Sequence, residues 1–385
     1  MIRSVSLLAA LSAPVLMLAS CANAEPGDSA APMAGEPFKT THVAGFEEPW
    51  AIAFAPGTAT LFVTEKAGTV KLLDTRTGET ATVSGAPSVA YGGQGGLGDL
   101  AFLPAEASET LGTRTIYLSW AEAGANGTRG AAVGKGQLAC SAPTACAIQG
   151  LSVIWRQTPK VTGWGHYSHR LLFSPDGRYL YVASGERQKM SPAQDTAVTL
   201  GKIVRLNLDG TPAAGNPMAD KGGVTAEIWS MGHRNILGMA WDAQGRLWEV
   251  EHGPAGGDEL NLVAAGANYG WPLRSNGEHY NGNPIPDHEA GDGFAQPALS
   301  WNPVIAPGGL VIYSGVMFPA WKGHALITGL ATQSLVDVAI EGETAREVAR
   351  HEFDSRLRAI AQGPDGAIWV AQDGKGARLL KLTAK

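Results

Sequence analysis

A six-bladed β-propeller is the fold this sequence predicts, and two observations predict it. A strand-turn-strand unit recurs six times along the chain, and the composition suits a chain that turns often: 50 glycines and 23 prolines among 385 residues, with charged residues at only 17%. Repeats at a loose period mark a modular architecture. Antiparallel sheets of three or four strands, repeated six times, hide their edges by radial closure. A pair of β-sandwiches would match the strand content but gives no reason for six similar turns. The same composition excludes a coiled coil or a disordered scaffold. A net charge of −6 with no basic run leaves no electrostatic footprint for nucleic-acid phosphate.

The first element, residues 1–20, reads as an export signal. One charge, Arg3, precedes an apolar stretch from Val5 to Ala19 that is too short to span a bilayer comfortably. The stretch ends Leu18-Ala19-Ser20-Cys21, which resembles a bacterial lipobox and predicts a lipid on Cys21 and a periplasmic, outer-membrane-anchored protein; a rival cut after Ala22-Asn23-Ala24 would release it into the soluble periplasm. Residues 21–36 are small, polar and Pro/Gly-containing, a composition for a flexible tether. The propeller then occupies 37–385. Cys140 and Cys146 stand in a loop, CSAPTAC, long enough to fold back, and an oxidising compartment predicts a local disulfide.

Six turns punctuate the repeat, at Ala55-Pro56-Gly57, Leu103-Pro104, Ser174-Pro175-Asp176-Gly177, Asp242-Ala243-Gln244-Gly245, Phe318-Pro319-Ala320 and Gly363-Pro364-Asp365-Gly366. Behind them come LFVTE, TIYLSW, YLYVASGE, RLWEVEHG, ALITG and AIWVAQDG, all rich in β-branched and aromatic residues. Proline, aspartate and glycine in these turns supply the required φ values and need no function.

Four clusters break the repeat. Tyr91 to Leu97 brackets Gln94, the only polar reader, with four glycines. Trp164 to Arg170 holds His166 and His169; residues three apart in an extended segment point to opposite faces, which argues against a shared ion and makes one of them a general-base candidate. A histidine packed for stability is the competing reading for each. Gly232 to Gly238 leads into Glu251-His252-Gly253-Pro254 and Asp258-Glu259, where carboxylates and free carbonyls are hard oxygen donors suited to Ca²⁺, unless these are simply solvated acids at a turn. Alternation puts Arg356 and Arg358 on one strand face opposite Leu357. Two such guanidiniums repel unless an anion lies between them, which favours a polycarboxylate or phosphate ligand over exposed edge arginines.

In this order, GGQGGL, GHYSHR, GER, GHRN, EHGPAGGDELNL, NYGWP and RLR resemble the soluble pyrroloquinoline quinone (PQQ) dependent sugar dehydrogenases, the glucose/sorbosone dehydrogenase family. The resemblance runs from about Gly45 to Leu382 and implies a propeller that binds PQQ and Ca²⁺ at one mouth and oxidises the anomeric hydroxyl of aldoses to lactones, passing electrons to an acceptor the sequence does not name. It implies that His166 is the base and that Arg234 and Asn235 lie against the quinone, with Arg234 steadying its oxygen. Gln94, Glu186, Arg356 and Arg358 would anchor the cofactor. The carbonyls of Gly253 and Pro254 would hold the Ca²⁺ that touches PQQ, and Asp258, Glu259 and Tyr269 match a second calcium site. The chain departs from the family at Ile236 and Leu237, where Pro-Gln is common, at Ala331, where a lysine is common, and at Glu186, where some members place glutamine. Residues 274–293 are the variable loop expected to set sugar preference. A calcium-dependent propeller lactonase and a non-catalytic binding propeller are the rival readings.

Overall fold

The computed structural model describes residues 36–385, of which Pro37–Lys385 form one compact unit. The export signal, Cys21 and all of the tether except Glu36 lie outside the described residues. Among the described residues there are strands and short 3-10 turns but no α-helix.

The strands group into six four-stranded antiparallel sheets. Their innermost strands are Pro49–Phe54, Leu97–Phe102, Ser168–Phe173, Ile236–Trp241, Pro307–Ile312 and Leu357–Gln362, and we number the blades 1 to 6 in that order. Each inner strand packs against the next, and the sixth against the first, so the sheets close in a ring. Four blades are built from consecutive strands; in blade 4 the two strands of a small ribbon alternate with the outer strands along the chain. The sixth takes its outer strand from the other end of the chain, where Phe38–Phe46 pairs with Ala377–Ala384. That pairing ties the two ends of the propeller together and leaves no open edge at the seam.

The apolar core is divided into six layers, one between each pair of neighbouring blades. Phe62 and Val70 of blade 1 meet Leu100 and Trp120 of blade 2, and Leu61 of blade 1 meets Trp369 of blade 6. Each sheet is therefore covered on both faces. This is why a segment such as Thr60–Glu65 is buried at every position instead of alternating.

The recurring turns join the inner strand of each blade to the next strand, as the repeat predicts; two of them, Pro104–Glu106 and Pro319–Trp321, are single 3-10 turns. Cys140 and Cys146 are disulfide-bonded. They are directly opposed partners in a long hairpin of blade 2, Arg129–Ala142 with Ala145–Arg156, and not members of a loop.

A shared irregularity positions the functional end. All six inner strands slip register within their first few residues, at Pro49/Ala51, Leu97/Leu100, Ser168/Leu171, Ile236/Gly238, Pro307/Gly309 and Leu357/Ala359. A bulge leaves a residue unpaired and turns it away from the ladder. Here the skipped positions include Trp50, Asp99, Arg170, Leu237, Gly308 and Arg358, one from each blade, and they meet at the channel axis. Arg170 donates to the carbonyls of Leu237 (2.6 Å) and Gly308 (2.7 Å), faces Asp99 at 3.5 Å and lies 4.1 Å over the Trp50 ring. Blade 6 presses in so closely that a Cβ at Gly308 would sit 2.6 Å from the Arg358 carbonyl oxygen. One guanidinium thus closes the channel.

Replacing Arg170 by Met should cost about 3–5 kcal/mol of unfolding free energy, because Asp99 would keep a buried charge without its partner. Urea unfolding of the two proteins measures this. A loss below 1 kcal/mol would show that the channel closes without the guanidinium.

Candidate active site at the channel mouth

Above this plug lies a cleft of about 300 Å³ at the end where the inner strands begin. Its walls include Trp50, Lys66, Gln94, Asn235, Arg356 and Arg358. Backbone strain concentrates here. Glu48, His166, Ser168, His169, Arg187, Gln188, Met190 and Ala306 all have positive φ on the segments around this mouth. Non-glycine residues persist in that region only where their surroundings over-determine them.

The strain changes the geometry expected of the two histidines. The run from His166 to His169 is not extended, since three of its four residues are left-handed, so alternation does not decide where the rings point. Their partners do. His166 directs Nδ1 at the carboxylate of Glu186, and its backbone N–H donates to Gln94 Oε1 at 2.6 Å. His169 directs Nδ1 at the Ser119 hydroxyl (3.1 Å) and packs against Trp50. A Cβ at Gly98 would lie 2.0 Å from its ring, so glycine is required there. Burial pushes the His169 imidazole down to about 3, with Arg170 and Arg187 adding to the shift. It lines the cleft as a neutral ring. His166 is also lowered, by burial and then by Arg234 and Arg187, while Glu186 opposes the shift. Of the two, only His166 has a carboxylate to support an imidazolium.

Glu186 is placed differently from the expectation that it touches a cofactor. It is fully buried behind His166, and its oxygens also take the backbone N–H groups of Gln188 and Met190. It orients the imidazole and does not face the cleft.

Arg234 and Asn235 are held from beneath by Glu251, whose Oε2 accepts the Asn235 N–H at 3.1 Å and the Arg234 N–H. The Arg234 guanidinium donates Nη1 to the carbonyls of Gly253 (2.6 Å) and His252 (3.1 Å) and Nη2 to the Tyr280 hydroxyl (3.2 Å). Its buried Nε–H has no partner. Asn235 Oδ1 receives the Ser168 N–H at 3.2 Å.

Arg356 and Arg358 do share one face, and an anion does lie between them. It is Asp373, whose two oxygens each accept an Nε–H at 2.9 Å. The demand for a counter-charge is met in part by the protein, and both arginines line the cleft.

The expected calcium ligands are gathered less completely. Gly253 and Pro254 share a loop, and the Gly253 carbonyl keeps one lone pair beyond the one used by Arg234. Asp258 and Glu259 are consecutive strand residues and point to opposite faces. Asp258 gives Oδ1 to the Gly253 N–H (2.8 Å) and Oδ2 to the Ala306 N–H (2.6 Å), so it fixes two loops. The Tyr269 hydroxyl donates to the Leu262 carbonyl (2.6 Å) and accepts the Ala264 N–H (2.9 Å), leaving only its backbone for an ion. Glu251, Glu259 and Tyr269 border a cavity of about 10 Å³, the size of one ion or water.

Sequence reading missed Asp373 and Asp99, and it gave Glu251 and Arg170, which stood inside its clusters, no part in holding the site residues in place. The signal for two of them lay in the repeat. Glu65, Glu186, Glu251 and Asp373 each stand at or just past the end of their blade's second strand, and each binds the segment that enters the same blade's inner strand: Glu65 takes the Glu47 N–H at 2.9 Å, and the other three hold His166, Arg234 with Asn235, and Arg356 with Arg358.

Comparison with known proteins gives a consistent picture. The family model described as Glucose / Sorbosone dehydrogenase matches residues 46–381. The chain is 36% identical over 344 residues to the aldose sugar dehydrogenase YliI of Escherichia coli, covering 88% of this chain and 91% of that one. The crystal structure of the soluble aldose sugar dehydrogenase from Escherichia coli superposes with a TM-score of 0.83 at 34% identity, covering 90% of this chain and 100% of that chain. The PQQ-bound aldose sugar dehydrogenase from Streptomyces coelicolor gives 0.71 at 26% identity, over 90% of this chain and 98% of that chain.

Asp373→Asn should destabilise the protein by about 1 kcal/mol, a charged hydrogen-bond loss discounted for the exposure of Arg356. A tricarboxylate such as citrate should recover part of that loss, and denaturant titration with and without citrate reads both. Equal stability of the two proteins would mean that the arginines do not need the carboxylate.

Proposed function

The chain belongs to the glucose/sorbosone dehydrogenase family, and from that premise we propose that it is a PQQ-dependent aldose dehydrogenase with His166 as general base. The observation that carries this reading is the His166–Glu186 pair, joined through the His166 N–H to Gln94, which lines a cleft together with Asn235, Arg356 and Arg358. The residues present suit the cofactor. The unpartnered Nε–H of Arg234 is a buried donor awaiting an acceptor, and the donors around the cleft match a planar polycarboxylate. When bound, PQQ supplies the two-electron acceptor for the hydrogen that leaves the anomeric carbon.

The chain's own residues do the rest. Pairing with Glu186 puts the imidazole proton on Nδ1 and leaves the Nε2 lone pair to take the anomeric hydroxyl proton. The lowered pKa keeps His166 neutral at pH 7, and the carboxylate behind it stabilises the imidazolium once the proton arrives. Arg234 aims a fixed positive charge at oxygen that becomes electron-rich during the reaction. Gln94 and the two arginines would hold the cofactor's carboxylates. The Gly253 and Pro254 carbonyls would hold a Ca²⁺, with Asp258 orienting that loop. Glu259 and the Tyr269 carbonyl would hold a second ion. The disulfide, together with the export signal and Cys21, supports a periplasmic protein anchored by lipid.

The test is reconstitution of purified protein with PQQ and Ca²⁺, followed by the quinone absorbance change on adding aldoses. No change with any aldose would end this reading. In the reconstituted enzyme, His166→Ala should lower turnover by about two to four decades, the usual contribution of a positioned base. The pH profile provides a second check. Because Glu186 raises the His166 pKa, Glu186→Gln should move the acid limb of kcat/KM to lower pH while reducing the plateau. His169→Gln should leave the limb in place. An unmoved limb in Glu186→Gln, or a shift in His169→Gln instead, would assign the base to the other histidine.

A further inference from the structure

Building on the cofactor reading above, we propose that Lys66 is a third cationic anchor for the cofactor's carboxylates and, with Arg356, Arg358 and Gln94, fixes which way round the cofactor lies. Lys66 follows the second strand of blade 1 and lines the cleft, with its side chain only 18% exposed. One ammonium hydrogen goes to the Gly93 carbonyl at 3.1 Å. The nearest carboxylate, Glu48, is 3.9 Å away and also accepts the Tyr91 hydroxyl. An ammonium has three donors, so Lys66 is confined at the cleft wall with hydrogen-bonding capacity left over.

The charges on the walls show where a polyanion would settle. Three cations, Lys66, Arg356 and Arg358, face two carboxylates, Glu48 and Asp373, and His169 in the same lining is pushed by burial to about 3 and stays neutral. The cations belong to adjoining walls. Glu48 donates its N–H to the Gly374 carbonyl of blade 6 (2.9 Å) and accepts the Lys66 N–H of blade 1 (3.0 Å), which joins the two positions through one residue. Gln94 continues the same side into blade 2. Blades 3 and 4 contribute Ser168, His169, Asn235 and His252 to the lining, on the segments that also carry His166 and Arg234. A ligand carrying carboxylates at one end and a reactive carbonyl at the other therefore places its acids against blades 6, 1 and 2. Its carbonyl then lies toward the blade 3 and blade 4 segments that carry His166 and Arg234.

Titration of folded, Ca²⁺-containing protein with PQQ, read by quenching of tryptophan fluorescence at the Trp50-lined cleft, tests this without turnover. Lys66→Met should raise the Kd about tenfold or more, the scale of one lost hydrogen bond to a charged group, while Lys66→Arg stays within about threefold. Glu48→Gln should shift the Kd the other way, since it removes the competing carboxylate. An unchanged Kd in Lys66→Met, or weaker binding in Glu48→Gln, would overturn the Lys66 assignment and leave the proposed function standing. Failure of the unsubstituted protein to bind PQQ would overturn the proposed function itself.

Discussion

The buried guanidinium of Arg170 is the contact on which the rest of the molecule depends. Six sheets arranged around an axis leave a hole that apolar side chains of the inner strands do not fill at this end. Arg170 fills it with a planar cation that meets a carboxylate from blade 2, carbonyls from blades 4 and 5 and an aromatic face from blade 1. Burial raises the pKa of Asp99 and lowers that of Arg170, which is the cost of putting charge at the centre. The return is directional: a guanidinium satisfies several acceptors only at one angle and depth, so the blades are held at fixed rotation. The floor of the cleft inherits that rigidity.

A second device works at the rim. Four blades carry a carboxylate at the end of the second strand, and each grips the chain as it enters the inner strand of the same blade. The grip explains how left-handed residues persist at His166, Ser168 and His169, since the surrounding bonds over-determine them. It also shows how one structural position became several chemical ones. In blade 1 the carboxylate only ties backbone; in blade 3 it orients an imidazole; in blade 4 it supports two site residues; in blade 6 it separates two arginines.

Charge and neutrality are distributed with the same economy. His169 and His252 line the cleft but are held uncharged by burial, so positive charge is restricted to arginine and lysine. His166 is neutral too, but it differs in having a carboxylate of its own. The departures at Leu237 and Ala331 also find a place: Leu237 packs with Trp50 and Ala51 at the floor, and its carbonyl rather than its side chain is used by Arg170, while Leu330 lines the wall near Ala331.

The sequence by itself determined the architecture and the residue types of the site. Turn chemistry and apolar strands recur at each blade because every blade meets the same local demands, and periodic demands leave a periodic trace. The motifs around Gln94, His166, Arg234 and Arg356 stood out because they interrupt that trace. Tertiary structure alone decided the partners. Asp373 lies 17 residues from Arg356, and Glu186 lies 20 from His166. Asp99 lies 71 from Arg170, and Gly308 lies 138 away. Such contacts follow from ring closure and from bulges that turn one residue per blade toward the axis. Neither is visible to reasoning along a single strand, and the resemblance put Asp258 and Glu259 on one ion although strand alternation points their side chains to opposite faces of the sheet.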